Sequence, residues 1–159
     1  MKIRIFAIGK IKEAYLKEGI NEYLTRLKPY TQIEIIELND EPIPDNPNES
    51  EINKVKNIEG ERVLKLLKPQ DYLISLDLNK KQYTSLEFAK YLDNKFVTGC
   101  SNINFVIGGS YGLSDSLKKR ANDSLSLSNM TFLHQMTRLL LLEQIYRAFK
   151  INRNETYHK

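Results

Sequence analysis

The sequence contains a single cysteine, Cys100, so an intrachain disulfide bond is excluded. No apolar run approaches the roughly 20 residues that a membrane-spanning helix needs. The apolar start of the chain alternates like a strand and is too short for a secretion signal, and we therefore expect a cytoplasmic protein. His134, His158 and Cys100 are not spaced as metal ligands, and no carboxylate cluster accompanies them, so we expect no metal site.

Two common nucleotide-binding motifs are also missing. The chain has one glycine-rich turn, Gly108-Gly109-Ser110-Tyr111-Gly112, and this turn does not match the GxGxxG pattern of dinucleotide-binding folds. It also lacks the GK[ST] ending of a phosphate-binding P-loop. These absences argue against the commonest dinucleotide and nucleoside triphosphate sites.

The composition is that of an ordinary globular domain. The chain has 159 residues, of which 41% are hydrophobic and 28% charged, and we expect one domain spanning residues 1–159. Its net charge of +4 is a modest basic excess, which is compatible with a nucleic acid partner but is weak evidence for one.

Hydrophobic periodicity predicts five strands that alternate with five helices. The predicted strands cover residues 2–8, 32–38, 72–78, 103–107 and 124–127, and the helices about 11–27, 51–68, 85–98, 115–121 and 133–149. Regular β-α alternation predicts an α/β fold with a mostly parallel sheet and helices on both faces. Residues 39–49 contain three prolines and are predicted to form a long loop.

Two polar loops follow predicted strands in the second half of the chain. One is the glycine turn at 108–112, and the other is residues 128–131. Ligands of open parallel sheets bind at the carboxyl ends of the strands, so we expect the functional site there. Taken alone, a glycine turn is more often only a turn, and the nearby second loop is what favours a binding site.

The last helix indicates a possible second subunit, and the tail after it a possible RNA partner. Residues 139–142 are four leucines, so the helix is apolar nearly all round and must be buried by the rest of the chain or by a second subunit. Residues 133–159 contain five lysines or arginines against two glutamates, a net charge of +3, interleaved with aromatic residues. This mixture suits a flexible RNA loop, although a solvated helix end with a frayed tail has the same composition.

Three stretches resemble the RlmH family of SPOUT methyltransferases, small enzymes that act on 23S ribosomal RNA. They read FVIGGSYGL, LSLSNMTFLHQMTRLLLLEQIYRAF and TYHK, and the similarity extends over essentially the whole chain. The resemblance implies a trefoil knot near the C-terminal end, S-adenosylmethionine as cofactor and a homodimer with the pocket at the subunit interface. It also implies methylation of N3 of a pseudouridine on assembled ribosomes.

The resemblance also implies roles for individual residues. The cofactor contacts of the family fall on eight positions, which are Leu76, Gly108, Leu127, Ser128, Asn129, Met130, Thr131 and Phe132. Four residues near the end of the chain are our candidates for catalysis, namely His158 as base or orienting group, Arg147 toward phosphate or a base carbonyl, Tyr157 for stacking or hydrogen bonding, and Glu143 to orient Arg147.

Two departures from the family pattern leave these groups in place. Leu133 and Thr156 stand where the family usually has proline, and we expect a slightly less preorganised helix start and a looser tail. Two other functions remain open from the sequence. One is an RNA-binding module without catalysis, and the other is a SPOUT enzyme with another target such as transfer RNA.

Overall fold

The computed structural model describes all residues 1–159 and contains five strands and five helices in strict alternation. The elements are β1 (Lys2–Ile8), α1 (Ala14–Leu27), β2 (Gln32–Leu38), α2 (Glu49–Leu64), β3 (Tyr72–Leu76), α3 (Ser85–Val97), β4 (Asn102–Ile107), α4 (Asp115–Arg120), β5 (Asp123–Leu125) and α5 (His134–Asn152). The predicted α/β order is therefore confirmed.

The five strands form one sheet in the order β2-β1-β4-β3-β5, and every neighbouring pair is parallel. This confirms the predicted parallel sheet. The order brings β4, β3 and β5 side by side, so their carboxyl ends lie along one part of the sheet edge. The trefoil knot implied by the resemblance stays a prediction.

Side-chain alternation along the strands builds a core on each face of the sheet. On β1, Ile3 and Ile5 pack into one cluster with α1, α3 and α5, whereas Phe6 and Ile8 pack into the other cluster with α2 and α4. Because successive side chains of a strand point to opposite faces, a continuous apolar strand requires helices on both sides. The prediction of a two-sided sheet is confirmed.

Several helices and strands begin or end at other residues than predicted, because main-chain N–H groups there hydrogen-bond outside the predicted element. The helix predicted from residue 11 begins at Ala14, because the Ile11 N–H donates to Glu37 instead of joining a helix. The second helix begins earlier than predicted, since Asn48 and Glu51 form a capping box. The third strand ends at Leu76, after which the Asp77 N–H donates to the Leu125 carbonyl.

Candidate active site

A cavity of about 650 Å³ opens at the carboxyl ends of β3, β4 and β5. Its walls come from the loops that follow these three strands, from Lys118 of α4 and from the first turn of α5. The volume lies within the range of small-molecule sites, about 300–1,000 Å³. The cavity therefore lies where the two polar strand-end loops predicted a ligand site.

Seven of the eight residues that the resemblance assigns to the cofactor line this cavity, namely Leu76, Gly108, Leu127, Ser128, Met130, Thr131 and Phe132. Asn129 does not line it. The side-chain oxygen of Asn129 accepts a hydrogen bond from the Gln82 amide, so this residue braces the loop from outside the cavity. The cofactor role of all eight residues stays a prediction.

The glycine turn closes one wall of the cavity by an unusually close approach of two backbone segments. The Gly112 N–H donates to the Gly109 carbonyl across 3.1 Å, and Gly112 has a φ of +87°. A Cβ atom at Gly108 would lie only 2.7 Å from the carbonyl carbon of Gly112. Gly108 is therefore required by sterics, because a main-chain atom cannot move aside as a flexible side chain can.

If the cavity holds the S-adenosylmethionine that the resemblance implies, Gly108→Ala should weaken its binding by 100-fold or more, which is about 3 kcal/mol. The added methyl group forces residues 108 and 112 apart and so displaces the cavity wall. Titration calorimetry measures the affinity. Gly99→Ala is the control, because a Cβ there meets no atom within 4 Å. Gly99, unlike Gly108, has a positive φ, so its replacement strains the backbone away from the cavity. Equal losses of affinity in the two variants would contradict this role of the turn.

Twelve further residues line the cavity, and four of them, residues 109–112, belong to the glycine turn. The sequence did not point to the other eight, which are Asp77, Leu78, Ile107, Leu113, Lys118, Leu133, His134 and Thr137. His134 follows directly on the 128–132 loop, and this adjacency was the available signal. Burial, and secondarily the charge of Arg138, lowers the pKa of His134. Its imidazole is therefore neutral at pH 7.

Arg138 holds the start of α5 against the end of β1. Its guanidinium donates to the carbonyls of Ile8 (3.1 Å) and Gly9 (2.7 Å), and to the Glu37 carboxylate (2.6 Å). The side chain is 0% exposed, and burial lowers its pKa while Glu37 opposes that change. Arg138 was counted above with the basic residues that suit RNA, and that interpretation is wrong for this residue because no solvent or RNA can reach it.

The four candidate catalytic residues form one hydrogen-bonded cluster at the far end of α5. Glu143 Oε1 accepts from Arg147 Nε (3.1 Å) and from the Tyr157 hydroxyl (3.0 Å). Arg147 Nη1 lies 3.1 Å from Nδ1 of His158. The Tyr157 hydroxyl also lies 3.1 Å from that of Tyr23, so the tail is tied to both α1 and α5.

Tyr157 keeps its proton in this cluster. Burial raises its pKa, and the hydrogen bonds to Tyr23 and Glu143 raise it further. Its ring packs edge-on against Tyr146, with the ring centroids 4.9 Å apart. The tail is therefore packed in the single chain, and Tyr157 acts there as a hydrogen-bond donor.

One chain does not bring the catalytic cluster to the cavity. His134 lines the cavity at the first residue of α5, whereas Arg147 lies 13 residues further along the same helix. At 1.5 Å per residue, the two positions are about 20 Å apart. None of the cluster residues lines the cavity.

No group of three or more His, Cys, Asp or Glu residues is arranged to hold a metal ion. None of the helices combines the length and the apolar character needed to cross a membrane.

Sequence comparisons identify relatives over the full length of the chain. A family described as "Predicted SPOUT methyltransferase" matches residues 1–158. The chain is 53% identical to the ribosomal RNA large subunit methyltransferase H of Halothermothrix orenii and 52% identical to that of Carboxydothermus hydrogenoformans. Each alignment spans 159 residues and covers 100% of both proteins.

Solved structures share the fold at much lower identity. A probable methylase family protein from Haemophilus influenzae Rd KW20 is 17% identical, with a TM-score of 0.54 over 99% of this chain and 70% of that one. A putative methyltransferase from Legionella pneumophila, solved in complex with bound SAM, is 13% identical, with a TM-score of 0.50 over 93% of this chain and 66% of that one. At this identity the likeness supports the α/β fold alone.

Proposed function

Because this chain belongs to the family of SPOUT methyltransferases that includes the ribosomal RNA large subunit methyltransferases H, we propose that it methylates 23S ribosomal RNA. The proposed methyl donor is S-adenosylmethionine, and the proposed target is N3 of a pseudouridine on the assembled ribosome. One observation carries the proposal: the cavity at three strand ends is lined by seven of the eight residues that the resemblance assigns to the cofactor.

The residues of the cavity fit this methyl donor. Leu76, Ile107, Leu127 and Phe132 offer apolar walls for an adenosine group, and the glycine turn leaves main-chain atoms within reach of it. His134 is neutral, so it places no full positive charge beside a sulfonium. Bound here, S-adenosylmethionine supplies an electrophilic methyl group to the nucleophilic nitrogen of the RNA base.

A homodimer with shared sites would join the cavity to the catalytic cluster. The cavity rim leaves Met130 and Leu133 exposed at 73% and 54%, and Leu139 and Leu140 of α5 are only partly buried. A two-fold axis across this apolar surface would place the tail of one subunit near the cavity of the other. Each site would then combine one chain's cavity with its partner's Glu143, Arg147, Tyr157 and His158.

The contact between Arg147 and His158 favours an orienting role for His158 over that of a base. A guanidinium only donates hydrogen bonds, so Nδ1 of His158 must accept, and in the neutral ring the proton then lies on Nε2. An imidazole in this tautomer donates through Nε2–H. It can stabilise negative charge on a carbonyl oxygen beside N3, while the N3 proton leaves to solvent before methyl transfer.

This assignment predicts the pH dependence of the single-turnover rate on ribosomes. We expect the rate to rise with pH without a plateau through the neutral range, because the ionised fraction of the weakly acidic imide keeps increasing. His158→Gln, which retains a donor, should keep most of the rate, and His158→Ala should lose about 10-fold or more. A wild-type plateau that vanishes in His158→Gln would instead identify His158 as the base.

Two measurements test the function itself. Titration calorimetry should give a micromolar or tighter dissociation constant for S-adenosylmethionine, and an RNA-binding module without catalysis would show none. Mass spectrometry of ribosomal RNA from a deletion strain should show loss of one methyl group from a pseudouridine of 23S RNA. Unchanged ribosomal RNA, with a methyl group lost from transfer RNA, would identify a SPOUT enzyme with another target.

A further inference from the structure

Asp77 and Lys118 are the oppositely charged pair of the cavity wall. All the other lining residues are neutral at pH 7, including His134. Asp77 directly follows Leu76 at the end of β3, and Lys118 lies on α4. Lys118 Nζ and Asp77 Oδ2 are 3.5 Å apart. The ionic groups of an otherwise apolar and hydroxyl-lined cavity are thus one acid and one base, side by side.

In this ion pair the Lys118 side chain is more exposed than that of Asp77, and only the carboxylate is oriented by a further hydrogen bond. Its distance exceeds the 2.7–2.9 Å that is typical of a direct charge-assisted hydrogen bond. The Lys118 side chain is 41% exposed and that of Asp77 18% exposed. Asp77 Oδ1 also accepts from the Leu78 N–H across 2.9 Å, which orients the carboxylate. A partly exposed pair of this kind contributes little to stability, so a ligand can replace it at small cost.

We propose that Asp77 and Lys118 clamp the amino-acid end of the methyl donor. The Asp77 carboxylate accepts from the α-ammonium group, and Lys118 swings out to donate to the α-carboxylate. A zwitterion requires one group of each sign, and this pair provides both within a short distance of each other. The clamp rests on the proposed function, because it assumes that S-adenosylmethionine occupies the cavity.

The clamp can be tested with two ligands that differ only in the amino-acid group. S-adenosylhomocysteine carries it, and 5′-methylthioadenosine has the same adenosine and thioether without it. In titration calorimetry, Asp77→Asn and Lys118→Met should each bind S-adenosylhomocysteine about 10-fold more weakly than the wild type does. Both variants should bind 5′-methylthioadenosine with the wild-type affinity. Lys119→Met is the matched control, since Lys119 is exposed on the same helix but does not line the cavity.

Decarboxylated S-adenosylmethionine distinguishes the contact of Asp77 with the ammonium group from that of Lys118 with the carboxylate. It retains the ammonium group and lacks the carboxylate, so Asp77→Asn should weaken its binding and Lys118→Met should not. Equal losses for S-adenosylhomocysteine and 5′-methylthioadenosine would overturn the clamp and assign the pair to the adenosine. Variants that bind every ligand like wild type would also overturn it, while leaving the proposed function intact. Wild-type protein that binds none of these ligands would overturn both.

Discussion

Replacing Arg138 by methionine is expected to lower the free energy of unfolding by about 3 kcal/mol. Methionine can fill the space of the aliphatic stem, but it leaves the carbonyls of Ile8 and Gly9 without the donors that they have now. A buried carbonyl without a partner retains its full desolvation cost. Glu37 loses its ionic partner as well, although it still accepts from the Ile11 N–H and its side chain is 42% exposed and can be hydrated.

Urea denaturation at constant pH measures this effect, with Arg147→Met as the control. Arg147 lies on the same helix and also pairs with a glutamate, but its side chain is 25% exposed and its partner Glu143 is four residues away. Arg147 and Glu143 are partly exposed, and Arg147 donates to no buried main-chain carbonyl, so the control should change stability by about 1 kcal/mol or less. A loss for Arg138→Met no larger than that of the control would mean that α5 is held to β1 by apolar packing alone.

Mixing two impaired variants is expected to raise the activity to about a quarter of that of the wild type, if the sites are shared across a homodimer. Gly108→Ala disables the cavity and His158→Ala disables the tail. In a statistical mixture half of the dimers combine one subunit of each kind. One of the two sites in such a dimer has an intact cavity from one subunit and an intact tail from its partner.

The readout is methyl transfer to ribosomes after the subunits have been exchanged or coexpressed. Two variants with different lesions in the same region, such as His158→Ala with Arg147→Met, provide the control. Every site in that mixture has a damaged tail, so no recovery is expected. If each site belonged to a single chain, the first mixture would also remain as inactive as its components.

Local sequence patterns were sufficient for most of the secondary structure. Thr84 and Glu87 form a capping box at the start of α3, and Ser114 caps α4, as the spacing of these residues in the sequence predicts. These features depend on residues within one helical turn, so they can be read from neighbours in the sequence. The Asn48–Glu51 box has the same spacing, but the three prolines before it favoured a loop that continues to residue 49.

The site could be predicted only in part. The glycine turn and the 128–131 loop were identified because each follows an apolar strand. Lys118 was missed, because nothing in its helical sequence shows that α4 packs beside the end of β3. Arg138 was misinterpreted, because an arginine side chain is usually solvated and only the carbonyls at the end of β1 explain its burial.

The α/β class could be established from the sequence alone. Its signals are the alternation of strand and helix patterns, the helix-capping residues and the prolines and glycines that end elements, and each acts between residues a few positions apart. The order β2-β1-β4-β3-β5 depends instead on how helices far apart in sequence cover both faces of the sheet. That packing brings the ends of β3, β4 and β5 around one cavity, and it leaves Arg147, beside His158, about 20 Å from His134 along α5. The separation between cavity and tail is thus a property of the tertiary structure, since it is set by contacts that no local pattern encodes.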